Sequence, residues 1–223
     1  MKTIFKLVVA FLVLAGGYYV AAPYLQPIAS KAPESQARVE VTTAHVQEDS
    51  ATYTIDVSYP QFGIPAIDTQ IKKAIDDAVA EFKTLSPNPG DSATPKLSFD
   101  GSFDSVYVGP DVISVKLILS QYTGGAHPLT LISGLNYNRT TGKQLLQNDA
   151  FEMLGMTVEQ VSIAATAELK AKLGDTMFKE GANTNPENYS SSVISADKVT
   201  FIFQQYQVAA YAAGPQEVSF DKK

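Results

Sequence analysis

The chain of 223 residues is long enough for one large domain or two small ones, and its 45% apolar, 18% charged composition is that of a globular protein. A net charge of −6 and a pI near 4.9 argue against nucleic acid and anionic membrane surfaces as partners and favour basic ones. The lack of cysteine excludes disulfides, thiolate metal sites and a cysteine nucleophile, while two well-separated histidines, His45 and His127, make a histidine-rich metal site implausible.

Lys2 and Lys6 precede an uncharged stretch whose apolar part, LVVAFLVLAGGYYVAAPYL, covers residues 7–25. A positive start followed by such a run is the pattern of a secretory signal or an uncleaved membrane anchor, since about 20 apolar residues span a bilayer. Both readings export the rest of the chain. Ala15-Gly16-Gly17 offers small residues for cleavage, whereas Pro23 disfavours cleavage after Ala22. Residues 26–37 carry Pro27, Pro33, Ser30 and Ser35 and read as a linker.

Residues 38–46 alternate, with Val39, Val41 and Ala44 on the inward side, and residues 51–59 alternate again through Tyr53, Ile55, Val57 and Tyr59. Both read as strands, joined by a turn at Glu48-Asp49-Ser50, and residues 60–65 break the pattern at two prolines. Ile67, Ile71, Ile75, Ala78, Val79 and Phe82 recur at helical spacing, with Lys72, Lys73, Asp76 and Asp77 on the other side, which predicts an amphipathic helix. A Pro/Gly-rich loop follows over 85–95.

Strands are expected over 97–108, 112–120 and 127–138, with turns at Gly109-Pro110-Asp111 and at 139–143, where Gly142 supplies a positive φ. Gln147-Asn148-Asp149 can cap a short helical stretch around Phe151. A second main helix runs over 157–173, opened by Thr157 near Glu159-Gln160 and closed by Gly174, with Val161, Ala164, Ala165, Leu169 and Leu173 inward. Residues 181–192 read as a polar loop, 193–194 and 199–203 as a hairpin, and 218–220 as a last strand. This order lacks strict βα alternation. The expected fold is therefore α+β, antiparallel sheet(s) with two main helices packed on them, after an N-terminal signal or anchor helix. The exported part divides into an N-terminal α+β region over 38–108 and a C-terminal α+β domain over 109–223.

Two segments stand out as candidate sites. Tyr122-Thr123-Gly124-Gly125-Ala126-His127-Pro128 combines a glycine pair, open to torsions closed to other residues, with an imidazole held before a proline. It reads either as a ligand-binding loop or as a tight corner between strands. The run 206–215, YQVAAYAAGP, presents Tyr206 and Tyr211 to a partner, or packs its alanines on a sheet with Gly214-Pro215 as a turn. His127 can serve as a base, but no Gly-x-Ser-x-Gly elbow accompanies it, and Asp100 and Asp104 on one strand face read as a solvated edge rather than a glycosidase pair.

Three stretches together resemble a known family. They are residues 122–128, the run from Leu135-Asn136-Tyr137-Asn138 through Thr141-Gly142-Lys143 to Leu145, and residues 206–215 leading into Val218. They are similar to the extracellular domain shared by the anti-sigma factor RsiV and related bacterial envelope proteins, some fused to polysaccharide deacetylases such as PdaC. The similarity covers residues 109–220, with 38–108 resembling the family's N-terminal partner region more loosely.

The resemblance implies an α+β domain outside the membrane, largely of unknown function, and for RsiV-like members the binding of lysozyme. With six residues before the apolar run and no stretch of this sequence resembling a catalytic deacetylase domain, neither anti-sigma activity nor deacetylation is expected. The expected function is thus a binding module of the cell envelope. Its ligand would be a basic lysozyme-type muramidase or peptidoglycan, with Tyr122, Gly124, Gly125, His127, Tyr206 and Tyr211 at the contact surface. No cofactor, metal or nucleic acid is implied, and membrane attachment would run through an uncleaved N-terminal segment. The alternatives are an envelope-glycan hydrolase with His127 as base, or a structural accessory protein.

Overall fold

The computed structural model describes residues 39–85 and 95–223. The expected signal or anchor, the linker and most of the Pro/Gly-rich loop therefore lie outside the described residues. Among the described residues no helix is long and apolar enough to cross a membrane.

The chain runs through β1 (Thr42–Asp49), β2 (Tyr53–Gln61), α1 (Pro65–Thr84), β3 (Leu97–Val108), β4 (Val112–Tyr122), β5 (Leu129–Asn138) and β6 (Gln144–Leu145). It continues through α2 (Gln147–Leu154), α3 (Val158–Leu173), β7 (Ser192–Ile194), β8 (Lys198–Phe203) and β9 (Gln216–Asp221). Strands β1 to β6 form one sheet in sequence order and β7 to β9 a second. The class is α+β, but the sheets are not antiparallel throughout. β2 and β3 pair in parallel, from Tyr53 opposite Leu97 to Val57 opposite Gly101. The helix between them supplies the long crossover that a parallel pair requires. The expected 108/109 boundary falls at the β3–β4 turn, inside the six-stranded sheet.

Helix α1 covers one face of the large sheet. Pro65 at its first turn has the right φ and lacks an N–H that would be orphaned there. Ile67, Ile71, Ile75, Val79 and Phe82 are buried in one core with Ile55, Val57, Phe99, Val115 and Leu117. At about 1.5–3 kcal/mol for each fully buried large side chain, this face outweighs the outer ion pairs Lys72–Asp76 and Lys73–Asp77.

A second core joins α2 and α3 to the small sheet around Tyr189, Phe201 and Phe203. Thr157 caps α3 and exchanges hydrogen bonds with Gln160. At α2 only Asp149 caps, accepting the Leu146 N–H at 2.8 Å. The polar-sounding stretch 181–192 is not a plain loop. It coils into short 3₁₀ turns that bury Tyr189, whose ring meets Phe201 edge-on at 5.2 Å and whose hydroxyl donates to the Ala182 carbonyl.

Several boundaries shift. β1 begins at Thr42, leaving Val41 exposed, while Val39, Ala44 and Val46 pack inward. The first turn centres on residues 50–52, because the Ser50 hydroxyl accepts the N–H groups of Thr52 and Tyr53. β2 runs on through Pro60, since its pairing with β3 has ended at Val57 and only β1 flanks it there. β5 starts at Leu129, so His127 and Pro128 belong to the preceding turn.

The two sheets meet where β7 lies against β4 and β5. The Ser114 hydroxyl donates to Asn136 Oδ1 at 2.7 Å and accepts the Ile194 N–H at 2.9 Å, while Asn136 Nδ2 donates to the Ser192 carbonyl at 2.7 Å. Gly134 permits this approach: a Cβ there would sit 1.6 Å from the Ser192 carbonyl oxygen. β6 pairs only with Asn136 and Tyr137, and the neighbouring part of the β5 edge, at Ile132 and Gly134, is met by side chains. The Gln204 amide donates to the Ile132 carbonyl and accepts its N–H, at 2.7 and 2.9 Å, and Ser191 bridges Ile132 and Gly134. A backbone edge that would otherwise be left open is thereby satisfied.

Candidate functional site

Two loops far apart in sequence converge beside this junction. One is the β4–β5 connection over 123–128; the other joins β8 to β9 over 204–215. In the first, Gly124 and Gly125 take φ of +89° and +135°, and nothing lies within 4 Å of where a Cβ would be. Backbone conformation rather than crowding therefore calls for glycine. The Tyr122 hydroxyl donates to the Gly125 carbonyl at 3.2 Å and braces the loop.

The second loop is anchored by Gln207. Its amide nitrogen donates to the carbonyls of Gly181 and Asn188, both at 2.9 Å, and its amide oxygen accepts the Gln204 N–H at 2.8 Å. Val208 and Ala209 are buried beneath it. Of the small residues, Ala209 thus packs as one reading of the segment expects, while of the flanking tyrosines Tyr206 is exposed and Tyr211 half-buried. Tyr206 is 51% exposed and sits at φ +65°, a left-handed conformation a bulky residue rarely adopts. Beside it the Gln205 side-chain oxygen is buried with no hydrogen-bond partner. Strain and an orphaned polar atom each cost on the order of 1–3 kcal/mol, and such costs cluster at functional sites.

His127, Tyr206 and Tyr211 meet at this convergence. His127 stacks on Tyr211 with ring centroids 3.9 Å apart and planes at 23°, Tyr206 lies 5.5 Å from Tyr211, and its hydroxyl is 3.4 Å from His127 Nε2. His127 Nδ1 is 2.9 Å from the Pro128 carbonyl, which can only accept, so Nδ1 carries a proton and, in the neutral ring, Nε2 presents a lone pair. The imidazole can accept a proton or a hydrogen bond, and the phenol of Tyr206, a poor nucleophile, lies within hydrogen-bond range of it. Of the six expected residues, the three rings gather into one exposed cluster, and Tyr122, Gly124 and Gly125 shape the loop that holds it.

Sequence reasoning did not find Gln204 or Gln207, which position the second loop; no local pattern distinguishes an anchoring glutamine from a solvated one. It also missed a cleft on the free face of the large sheet, holding about 280 Å³ and lined by Asp56, Ser58, Asp100, Ser102, Ile118 and Ser120. Among the described residues no group of three or more His, Asp or Glu is placed to hold a metal ion.

A family model described as "Deacetylase PdaC" matches residues 46–130, and one described as "Protein of unknown function (DUF3298)" matches residues 144–223. The loop bearing His127 lies in the first region and the two tyrosines in the second, so the cluster draws on both. Peptidoglycan-N-acetylmuramic acid deacetylase PdaC of Bacillus subtilis is 26% identical over 189 residues, which is 82% of this chain and 40% of that protein. The chain thus spans two fifths of the length of this relative. Immunogenic protein MPT64 of Mycobacterium tuberculosis is 22% identical over 78% of the chain and 76% of its own length. A crystal structure of a DUF3298 family member from Bacteroides fragilis superposes with a TM-score of 0.56 at 18% identity, covering 82% of this chain and 90% of that one. Another from Pseudomonas aeruginosa gives 0.53 at 14% identity, covering 83% and 95%. These two likenesses concern the fold. The wider resemblance, to a domain found with PdaC-type deacetylases, is supported by the matches.

Proposed function

We propose that this chain is an exported cell-envelope binding module of RsiV-like kind, and that the rings of His127, Tyr206 and Tyr211 are its contact surface for peptidoglycan. The observation that carries the reading is the exposed aromatic cluster itself, assembled from two loops and retained despite a strained Tyr206 and an orphaned Gln205 oxygen. Exposed rings in a fixed arrangement supply apolar contact area at little entropic cost, and His127 Nε2 and the tyrosine hydroxyls add hydrogen-bonding groups. The similarity to a peptidoglycan deacetylase over the exported region points to the same envelope setting. The apolar run over residues 7–25 supplies the route out of the cytoplasm.

The net charge of −6 favours a second ligand, a basic lysozyme-type muramidase. The two are separated by titrating the purified protein against soluble peptidoglycan fragments and against a c-type lysozyme, each at two ionic strengths. A lysozyme partner gives an association rate that falls as salt rises past about 0.1 M, where the Debye length is about 10 Å, whereas peptidoglycan fragments, anionic through their muramic acid carboxylates like the protein itself, give no such fall. In either case Tyr211→Ala removes binding while leaving the fold intact. Binding of neither ligand at tens of micromolar in low salt refutes the reading and leaves an accessory role in the envelope. Hydrolysis of the fragments by the wild type, lost in His127→Ala, favours the hydrolase alternative instead.

A further inference from the structure

The large sheet has one face on α1, and the second sheet covers only part of the other. On that other face β7 packs over Ser114 and Asn136, and Lys116 marks the limit by bridging Asp104 at 3.3 Å and Glu217 of β9 at 3.1 Å. Beyond Lys116 the face is open and is where the cleft of about 280 Å³ lies.

Strand register sets out its rows. Gln47, Asp56, Asp100, Ser120 and Thr130 stand in line across five strands, and Ser102, Ile118 and Ile132 line up beside them across three. Asp56 and Asp100 are direct neighbours on the parallel pair; Asp56 Oδ1 accepts a hydrogen bond from Gln47 Nε2 at 3.2 Å, and among the described residues neither carboxylate has an ion-pair partner. Like charges side by side disfavour the sheet, so its stability does not account for the pair. Alternation along β4 puts Tyr122 on the same face as Ile118 and Ser120, about 7 Å beyond Ser120. Tyr122 is the residue that braces the loop of the aromatic cluster. The open face and the cluster are thus joined through one side chain.

We infer that the ligand surface continues from the aromatic cluster across this face, and that it takes an extended polyhydroxylated chain, a glycan of several sugar rings. The chemistry fits that class. Carboxylates accept charge-assisted hydrogen bonds from neutral hydroxyls, and Ser58, Ser102 and Ser120 can donate or accept, Ser58 and Ser120 alongside the bonds they share with His45 Nδ1 at 3.0 Å and Thr130 Oγ1 at 3.1 Å. Ile118 offers a small apolar floor for the C–H side of a ring. The cleft is about 10 Å wide from β2 to β4, taking strands 4.8 Å apart, which exceeds one sugar ring. This inference rests on the reading of the aromatic cluster as a binding site.

The test is calorimetric titration with disaccharide and tetrasaccharide fragments of peptidoglycan, using wild type, Tyr211→Ala and the double variant Asp56→Asn, Asp100→Asn. The expected result is that the tetrasaccharide binds at least tenfold tighter than the disaccharide and that the double variant removes this difference. Its melting midpoint should be unchanged or raised, because the two like charges are gone. Equal affinity for the two fragments, or a double variant that binds the tetrasaccharide like wild type, overturns the inference. If Tyr211→Ala still abolishes binding in that event, the aromatic cluster stands alone as the site. Binding of lysozyme but of neither fragment makes the face part of a protein interface and overturns the glycan assignment.

Discussion

Gly134→Ala tests the joint between the two sheets. An added Cβ would lie 1.6 Å from the Ser192 carbonyl oxygen and 2.3 Å from its carbon, against the 3.4 Å at which ordinary contact begins. Both atoms are backbone, so no side chain can swing aside, and β7 must move away from β5 by nearly 2 Å. That shift breaks the Asn136–Ser192 hydrogen bond of 2.7 Å, strains the Ser114–Ile194 bond of 2.9 Å and loosens the Ser191–Gly134 bond of 3.1 Å. These groups are buried or half-buried. Leaving them imperfectly paired costs about 1 kcal/mol or more each, so the substitution is expected to destabilise by about 3–5 kcal/mol. Urea unfolding followed by tyrosine fluorescence measures it, with Gly214→Ala as control. That glycine has φ +68° and ψ −176°, a conformation nearly reserved for glycine, but nothing within 4 Å, so alanine there is expected to cost about 1–3 kcal/mol, all of it backbone strain. A loss below about 1 kcal/mol for Gly134→Ala, or one no larger than the control, refutes the close-approach argument.

Further outcomes follow from the same structure. Gly125→Val is expected to lower stability by about 1–3 kcal/mol through its φ of +135° alone, and an unchanged melting midpoint would show that the loop simply rearranges. Tyr206→Asn places a residue that tolerates left-handed torsions at φ +65°, so thermal stability should hold or rise while affinity for the ligand falls; a parallel loss of both would make Tyr206 a structural residue. Burial pushes the Tyr137 phenol well above its ordinary value. Its folded-state pKa is raised, so the unfolded chain releases this proton first as pH climbs. The stability it contributes is complete below about pH 10 and is lost above it, at about 1.4 kcal/mol per pH unit. Denaturant titrations between pH 9 and 12 should show Tyr137→Phe with a slope shallower by that amount, and an identical slope would refute the assignment.

Elements governed by local periodicity were legible in the sequence. The spacing of Ile67, Ile71, Ile75, Val79 and Phe82 determines α1, the alternation of residues 97–108 gives β3 with its bounds, and Thr157, Gln160 and Gly174 delimit α3. Glycines in positive-φ turns, such as Gly142, were readable too, because only backbone sterics are involved. The candidate residues could be named singly, since a Gly-Gly-Ala-His-Pro corner and a Tyr-flanked alanine run are unusual in themselves.

What the sequence left open depends on partners distant along the chain. The parallel pairing of β2 with β3 follows from where α1 returns the chain, and Tyr189 is buried because Ala182, Phe201 and Phe203 surround it, not because its own polar neighbours say so. His127 meets Tyr211 across 84 residues of chain only because Gln204 and Gln207 hold one loop beside the other. The line of Asp56, Asp100 and Ser120 exists only through strand register. Periodicity shows which face of an element turns inward, but register and loop convergence are set by the total of long-range packing and hydrogen bonds, and that total is a property of the folded structure alone.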